Sequence, residues 1–346
     1  MNLAATLSYH AAKGGTGIRT LRPAVAALPI FCLAALAAAA AAQAAAPRVV
    51  ATISPIHSLT ASVMEGVVSP RLLIPGTASP HNYTLKPSDA RALAQAQLIV
   101  WVGEEIEPFM EKPLAALAKK ARVLELSKVP GVVLLPAREG GVWEGDVHDE
   151  KEKGHGPDEK KETAGKKKED HHEKDMHVWL SPANAKAIAR ALARVLGEID
   201  PANAPAYRAN LEKFLARVDA LDAELREQLK PVAGKPYIVF HDAYQYFERH
   251  YGLSPAGSIS VTSAQAPGAK RLYEIRKKII DSKVACVFRE PQFDSKLVTT
   301  AVEGTPAKVG VLDPDGGATI PPGPEAYFRL MRNLAGSLRA CLAPGS

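Results

Sequence analysis

The sequence predicts an α/β protein of two similar lobes, each a mostly parallel sheet flanked by helices, joined by one long helix. Short apolar runs alternate with helical segments on both sides of a charged stretch at residues 137–176, which is typical of parallel sheets covered by helices. A helical pattern over about Ala202–Leu229 is long enough to cross one lobe and reach the next. Roughly 300 residues follow the leader, more than one core usually serves.

The segment before the charged stretch predicts four strands and three helices. The strands are β-branched or apolar runs, and the helices have apolar residues at a spacing of three to four. The predicted strands are Arg48–Ser54, Arg71–Ile74, Leu98–Val102 and Arg122–Leu126, and the predicted helices are His57–Val67, Ser88–Gln95 and Glu107–Lys119.

The segment after the charged stretch begins with a strong helix start. Ser181 supplies a capping hydroxyl and Pro182 suits the first turn, so a helix should run to about Ile199, before the long helix. The alternation then resumes, with predicted strands Tyr237–Phe240, Gly257–Val261, Val284–Arg289 and Lys308–Leu312, and predicted helices Ala243–Tyr251, Gly268–Ile280, Asp294–Val302 and Pro324–Cys341. We therefore expect an N-terminal lobe at 45–200, a linking helix at 201–230 and a C-terminal lobe at 231–346.

Residues 1–44 are typical of a cleaved signal peptide. Arg19 and Arg22 precede an apolar run from Ala24 to Ala42, and Ala42-Gln43-Ala44 fits the small-residue cleavage pattern. The run also has the length of a short membrane span, so an uncleaved anchor is the alternative. The leader predicts an exported protein.

The charge and the cysteines restrict the class of function. Lys13, Arg19 and Arg22 leave with the leader, so the formal charge falls by three, from +6 to +3, which does not suggest nucleic-acid binding. Cys286 and Cys341 remain. An even pair in an exported protein favours one disulfide, with two buried free thiols as the alternative. Without a Cys-x-x-Cys spacing, thiolate metal binding and thioredoxin-like chemistry are not expected.

The charged stretch is a candidate for a disordered loop with weak metal sites. It has too few apolar residues to offset the entropy of ordering it. Its imidazoles lie among carboxylates, a mixture that forms loose sites for zinc-like ions. A solvated insert with no role is the alternative. The histidines concerned are His148, His155, His171 and His172.

Four other candidates follow predicted strands or precede a predicted helix. They are His81, His177, His241 and Asp313. Ligands of open α/β sheets bind beyond the carboxyl ends of the strands, and three imidazoles with one carboxylate suit a tetrahedral zinc ion. Taken singly, each residue has a structural alternative: a loop histidine, a hydrogen-bonded core histidine or a turn former. His57 also follows a strand, and for it a role at a helix start or behind the ligands is favoured over direct binding.

Several motifs occur in a fixed order from about Arg48 to the C-terminus. They are PHNYTLKPSD at 80–89, VWVGEEIEPFM at 100–110, HVWLSP at 177–182, HDAYQYF at 241–247, VFREPQF at 287–293 and LDP at 312–314, with the acidic His-rich stretch between the second and third. In this order they resemble the metal-binding periplasmic proteins that supply ABC importers, specifically the zinc branch of that family.

The resemblance implies a metal site in the cleft between two lobes, a rigid linking helix, zinc as the transported ligand and a periplasmic monomer that is not an enzyme. It implies an inner-membrane ABC permease as partner. By this resemblance, the family's metal-binding histidines correspond to His81, His177 and His241. Some zinc members have Glu before the first histidine, where this chain has Pro80, so the fourth ligand is Asp313 or water.

The resemblance also implies a metal preference and a disulfide. Manganese members typically have a carboxylate at the position of His241, and imidazole favours zinc over the harder manganese ion. The resemblance further implies that the family's second-lobe disulfide corresponds to Cys286 and Cys341. Two other functions stay open: a periplasmic zinc buffer or chaperone without a permease, and a secreted zinc hydrolase. The hydrolase has less support because the chain has no His-Glu-x-x-His element.

Overall fold

Two four-stranded parallel sheets organise the computed structural model, which describes residues 46–138, 174–260 and 268–343. The predicted signal peptide and the loop histidines His148, His155, His171 and His172 lie outside the described residues. Both sheets belong to one compact unit. The alternation of strands and helices and the parallel pairing confirm the predicted fold class.

The first sheet has the strand order β2-β1-β3-β4. Its strands are β1 (Val49–Ala51), β2 (Arg71–Leu72), β3 (Leu98–Trp101) and β4 (Arg122–Glu125), and its helices are α1 (Ser54–Val63), α2 (Pro87–Gln95) and α3 (Glu111–Leu117). Strand β1 is shorter than predicted because Ser54 already begins α1, with Pro55 in the first turn. Helix α3 begins later than predicted, since Pro108–Met110 forms a 3-10 turn.

The ends of the charged stretch are more ordered than we predicted. Strand β5 (Leu135–Pro136) pairs antiparallel with β6 (Lys174–Asp175), so these two segments form the stem of the stretch. Asp175 and Met176 are both buried. The prediction of a loop extending to residue 176 is therefore wrong at its C-terminal end. The physical reason is that the Asp175 carboxylate and the Met176 thioether become buried in the fold, although the surrounding sequence is polar.

Two helices follow the stem and lead towards the second sheet. Helix α4 (Pro182–Ile199) begins as predicted, and Ser181 Oγ accepts a hydrogen bond from the Asn184 amide at 3.2 Å. Helix α5 (Ala204–Leu229) has 26 residues, which corresponds to about 39 Å. Its buried stripe recurs at helical spacing and consists of Tyr207, Asn210, Phe214, Val218, Leu221, Leu225 and Leu229.

The second sheet has the strand order β10-β9-β7-β8 and is also parallel. Its strands are β7 (Pro236–His241), β8 (Ser254–Ser260), β9 (Cys286–Arg289) and β10 (Lys308–Val311), and its helices are α6 (Gln245–Tyr251), α7 (Ala269–Asp281), α8 (Lys296–Val302) and α9 (Ala326–Leu342). The predicted disulfide is confirmed: it joins Cys286 in β9 to Cys341 in α9, with the two Cα atoms 6.1 Å apart.

The buried side chains show how the two sheets are joined. One continuous apolar cluster contains residues of the first sheet, of helices α4, α5 and α9, and of one face of the second sheet. On β7, Tyr237 and Val239 belong to this cluster, whereas Ile238 and Phe240 belong to a smaller cluster under α7 and α8. This is the period-two alternation of a strand buried on both faces. None of the described helices combines the length and the apolar character needed to cross a membrane.

Candidate metal centre

The three candidate histidines lie in three different kinds of local structure. His81 lies in a 3-10 turn, Pro80–Asn82, where Ser79 Oγ accepts a hydrogen bond from the His81 amide at 3.4 Å. His177 lies two residues after the stem and directly before the 3-10 turn that leads into α4. His241 is the last residue of β7. Two of the three therefore depend on irregular segments, and one depends on a strand end.

The three imidazoles converge. Each offers one ring nitrogen, and these atoms all lie within 4.8 Å of one another. The ring centroids of His177 and His241 are 5.3 Å apart, and that of His81 lies 5.8 Å and 5.7 Å from them. The histidines line a cavity of about 10 Å³, which is room for one ion or one water molecule. Within the described ranges, no other group of three or more possible ligands comes together in this way.

A buried carboxylate orients His177. Asp175 Oδ1 accepts hydrogen bonds from the backbone amide of His177 at 3.0 Å and from its Nδ1 at 2.8 Å. When Nδ1 carries the proton, Nε2 is left with a free lone pair for a metal ion. The same segment is also held by helix α6, because the Tyr246 hydroxyl donates to the Asp175 carbonyl at 2.7 Å.

A second carboxylate orients His241 in the same way. Glu290 Oε1 accepts hydrogen bonds from His241 Nδ1 at 2.8 Å and from the Tyr244 hydroxyl at 3.1 Å. The other ring nitrogen, His241 Nε2, is buried and has no hydrogen-bond partner in the structure. A buried nitrogen without a partner is costly, and a metal ion in the cavity would satisfy it. The donor set therefore fits zinc.

Neither orienting carboxylate was predicted from the sequence. Asp175 lies two residues before a candidate ligand, and Glu290 directly follows β9, the strand beside β7. These positions are signals that could have identified them, since metal-binding histidines usually donate their second N–H to a carboxylate or carbonyl.

The electrostatic environment differs among the histidines. Burial, with the charge of His241, lowers the pKa of His177 well below its ordinary value; burial, with the charges of His241 and His177, does the same for His81. Burial also opposes the charged form of His241, but the charge and the hydrogen bond of Glu290 outweigh it and raise the pKa of His241 above 6.5. His81 and His177 are thus neutral near pH 7, the form that binds metal.

Asp313 does not join the three histidines. Its Oδ1 accepts hydrogen bonds from Gln292 Nε2 at 2.8 Å and from the Asp315 and Gly316 amides at 3.2 Å and 2.9 Å. This carboxylate caps its own turn, the alternative that we left open for it. Asp315 lines the cavity instead, and burial, with the charge of Asp313, raises the pKa of Asp315 to about 8.

His57 also lies outside the group. It is buried in α1, and its Nε2 is 3.0 Å from the Pro70 carbonyl. This hydrogen bond engages one ring nitrogen with the segment before β2.

The chain has extensive sequence similarity to known zinc-uptake proteins. Residues 49–341 match the family profile described as ZnuA, zinc-uptake complex component A, periplasmic. The high-affinity zinc uptake system protein ZnuA of Brucella suis biovar 1 (strain 1330) is 44% identical over 313 residues, which cover 85% of this chain and 91% of that protein.

Two solved structures share the architecture. A crystal structure of ZnuA has a TM-score of 0.69 and 26% identity, and covers 86% of this chain and 100% of that one. A deletion mutant of ZnuA lacking residues 138–173 of that protein, with zinc bound, has a TM-score of 0.68 and 26% identity, and covers 87% of this chain and 100% of that one.

Proposed function

Because the chain belongs to the ZnuA family of periplasmic zinc-uptake components, we propose that it captures Zn²⁺ with high affinity in the periplasm and delivers it to an ABC-type zinc importer. The observation that carries the proposal is the convergence of His81, His177 and His241, whose ligand atoms lie within 4.8 Å of one another. Zinc is the transported ligand of this site and passes from it to the transporter.

The chemistry of the site favours zinc among the common divalent ions. Neutral imidazole nitrogen suits Zn²⁺, whereas Mn²⁺ prefers more oxygen ligands and a higher coordination number. The two hydrogen bonds from Nδ1 to Asp175 and Glu290 hold the rings of His177 and His241 with Nε2 free. Cobalt and copper, which also accept imidazole, are the expected competitors in vitro.

The His-rich stretch has a location that suits zinc gathering. Its stem, β5 with β6, ends two residues before His177, so ions held by the stretch would be close to the cavity. On this hypothesis His148, His155, His171 and His172 raise the local zinc concentration and pass ions to the three histidines.

The partner, the compartment and the domain limits belong to the same proposal. A signal peptide at residues 1–44 would direct the chain to the periplasm, where a monomer would meet an inner-membrane ABC permease. The lobes would span 45–200 and 231–346, with α5 as the main part of the linking helix at 201–230. The match of 85% of the chain to a zinc uptake system protein supports this view.

Competition titration tests the proposal. The exported protein should bind one zinc ion tightly and prefer it strongly to manganese, because the site offers three nitrogens. Comparable affinities for the two ions would overturn the zinc assignment. Deleting residues 141–173 should keep the tight site, while additional weak zinc equivalents disappear. Loss of the tight site in a folded deletion variant would contradict the proposed separation between gathering and capture.

A further inference from the structure

We propose that Arg138 is a positioning residue for zinc capture. Its guanidinium joins the stem that leads to His177 to the segment that carries His241, and so sets the spacing of these two ligands. This inference rests on the proposed zinc capture and adds to it a residue that does not line the metal cavity. Arg138 follows strand β5 by two residues, at the N-terminal end of the His-rich stretch.

The Arg138 guanidinium lies between two carboxylates that follow β7. Its Nη1 is 3.4 Å from Asp242 Oδ1, and its Nη2 pairs with Glu248 Oε2. Only 16% of the Arg138 side chain and 2% of the Glu248 side chain are exposed. Glu248 is itself fixed to β7, because the Tyr237 hydroxyl donates to its Oε1 at 2.9 Å. Asp242 directly follows His241, so the guanidinium holds the strand end that carries this ligand.

Hydrogen bonds along the stem connect the same helix to the other ligand. The Leu135 amide donates to the Tyr246 hydroxyl at 3.0 Å, and this hydroxyl donates to the Asp175 carbonyl at 2.7 Å. Gln245 Nε2 donates to the Pro136 carbonyl at 3.2 Å. Both strands of the stem are therefore attached to the first turn of α6, and the stem ends two residues before a zinc ligand.

The charge of Arg138 distinguishes its contact from these neutral hydrogen bonds. Asp175, Asp242 and Glu248 all interact with this charge, and Asp175 and Asp242 also act on each other. Removing one partner of a buried ion pair is strongly unfavourable, because it leaves the other charge uncompensated. Without the guanidinium, these carboxylates would face one another, and their repulsion would separate the stem from the His241 segment. The two rings, whose centroids are 5.3 Å apart, would then lose their mutual placement.

A substitution that keeps length but removes charge tests the inference. We expect Arg138→Met to weaken zinc binding about 10-fold in competition titration, the lower end of the range for partners directly behind metal ligands. Arg217→Met is the matched control, because Arg217 also joins two elements through an ion pair, with Glu325 in front of α9. It should keep the affinity of the unmodified protein. Unchanged zinc affinity in folded Arg138→Met would overturn the inference.

Cobalt binding separates positioning from a purely stabilising role. The visible bands of Co²⁺ report its coordination geometry, so they should shift in Arg138→Met and stay unchanged in Arg217→Met. Both should be measured at a temperature at which circular dichroism shows folded protein. A purely stabilising Arg138 would lower the melting temperature but leave the cobalt spectrum and the zinc affinity unchanged, which would contradict the inference.

Glu248→Gln gives a second test that does not depend on the folding of Arg138→Met. It removes a partner of Arg138 seven residues after His241 and should also weaken zinc binding. In the double variant the two losses should not add, because both act through one contact. Unchanged affinity in Glu248→Gln, or fully additive losses, would refute the positioning role.

His177→Ala serves as the reference for the underlying function. If it binds zinc like the unmodified protein, the proposed zinc capture fails. If His177→Ala loses binding but the Arg138 and Glu248 variants keep it, the positioning role alone is wrong.

Discussion

His241 and His81 reach the same cavity from regions built in opposite ways. His241 ends a buried strand, is 5% exposed, and donates Nδ1–H to Glu290. His81 lies in a short turn and is partly exposed. Its backbone amide donates a hydrogen bond to Ser79 Oγ. The His241 region fixes the ring itself, whereas the His81 region fixes only the backbone that carries the ring.

This difference indicates that the three rings are held in place to different degrees. His177 and His241, each oriented by a buried carboxylate, form the rigid part of the site. His81 contributes a ring without such a partner, so its orientation depends on the loop and on the ion. Rigid ligands lose little freedom on binding, and a ligand that must be ordered costs more.

Removing a ring from the rigid part should have the largest effect. We expect His241→Ala to weaken zinc binding by more than about 100-fold, since the loss of a ligand should exceed the 10- to 100-fold cost of losing its hydrogen-bond partner. The variant also leaves Glu290 buried without its imidazole, which lowers the folding stability in a way that His81→Ala does not. Because the His81 ring must be ordered by the ion, it contributes less net affinity, and His81→Ala should be impaired less than His241→Ala.

Isothermal titration with a competing chelator would measure this order, with circular dichroism as the check on folding. His250→Ala is a matched control, because His250 lies near the end of α6 and interacts with Asp222, away from the three histidines. Unchanged affinity in both His81→Ala and His241→Ala would refute the assignment of the site.

Removing an orienting carboxylate should have an intermediate effect. Glu290→Gln and Asp175→Asn should each weaken zinc binding about 10- to 100-fold, because the ring loses a charged acceptor that fixes its orientation and basicity. Ser79→Ala removes the hydrogen bond of the His81 segment and should change the affinity only slightly, since it holds backbone and not ring. A loss in Ser79→Ala as large as in Glu290→Gln would contradict the division into a rigid and an adjustable part.

The pH dependence should be the smallest effect and should come from His241 together with the buried carboxylates beside the site. The pKa of His241 is raised by Glu290, whereas the pKa values of His81 and His177 are well below 6.5. Zinc binds the neutral ring, so affinity should be highest above the raised pKa of His241 and should fall as pH drops through it. Burial raises the pKa of Asp315 to about 8 and that of Asp175 to about 7, so these carboxylates should add to the slope as they lose their charge in the same range.

Zinc titrations between pH 8 and pH 5.5 would measure this slope. Glu290→Gln removes the charge that raises the pKa, so its decline in affinity should begin at a lower pH than in the unmodified protein. A decline at the same pH in both proteins would mean that another group controls the binding.

The sequence by itself determined the architecture and the identity of the histidines that converge. The alternation of apolar strands with amphipathic helices is a local property, so it predicts two parallel sheets and the long helix α5 without knowledge of packing. The carboxyl ends of parallel strands lie at one edge of a sheet, so His241 was identifiable from its place after a strand. An even pair of cysteines in an exported chain predicted the disulfide.

Only the tertiary structure decided which carboxylates serve the site. Asp313 and Asp315 are two residues apart, and no pattern distinguishes the one that caps the turn from the one that lines the cavity. Glu290 reaches His241 because β9 pairs with β7, a contact across 49 residues of sequence. Side-chain direction depends on which hydrogen-bond donors the folded loops present, and donors distant in sequence become neighbours only after the sheets and loops have packed.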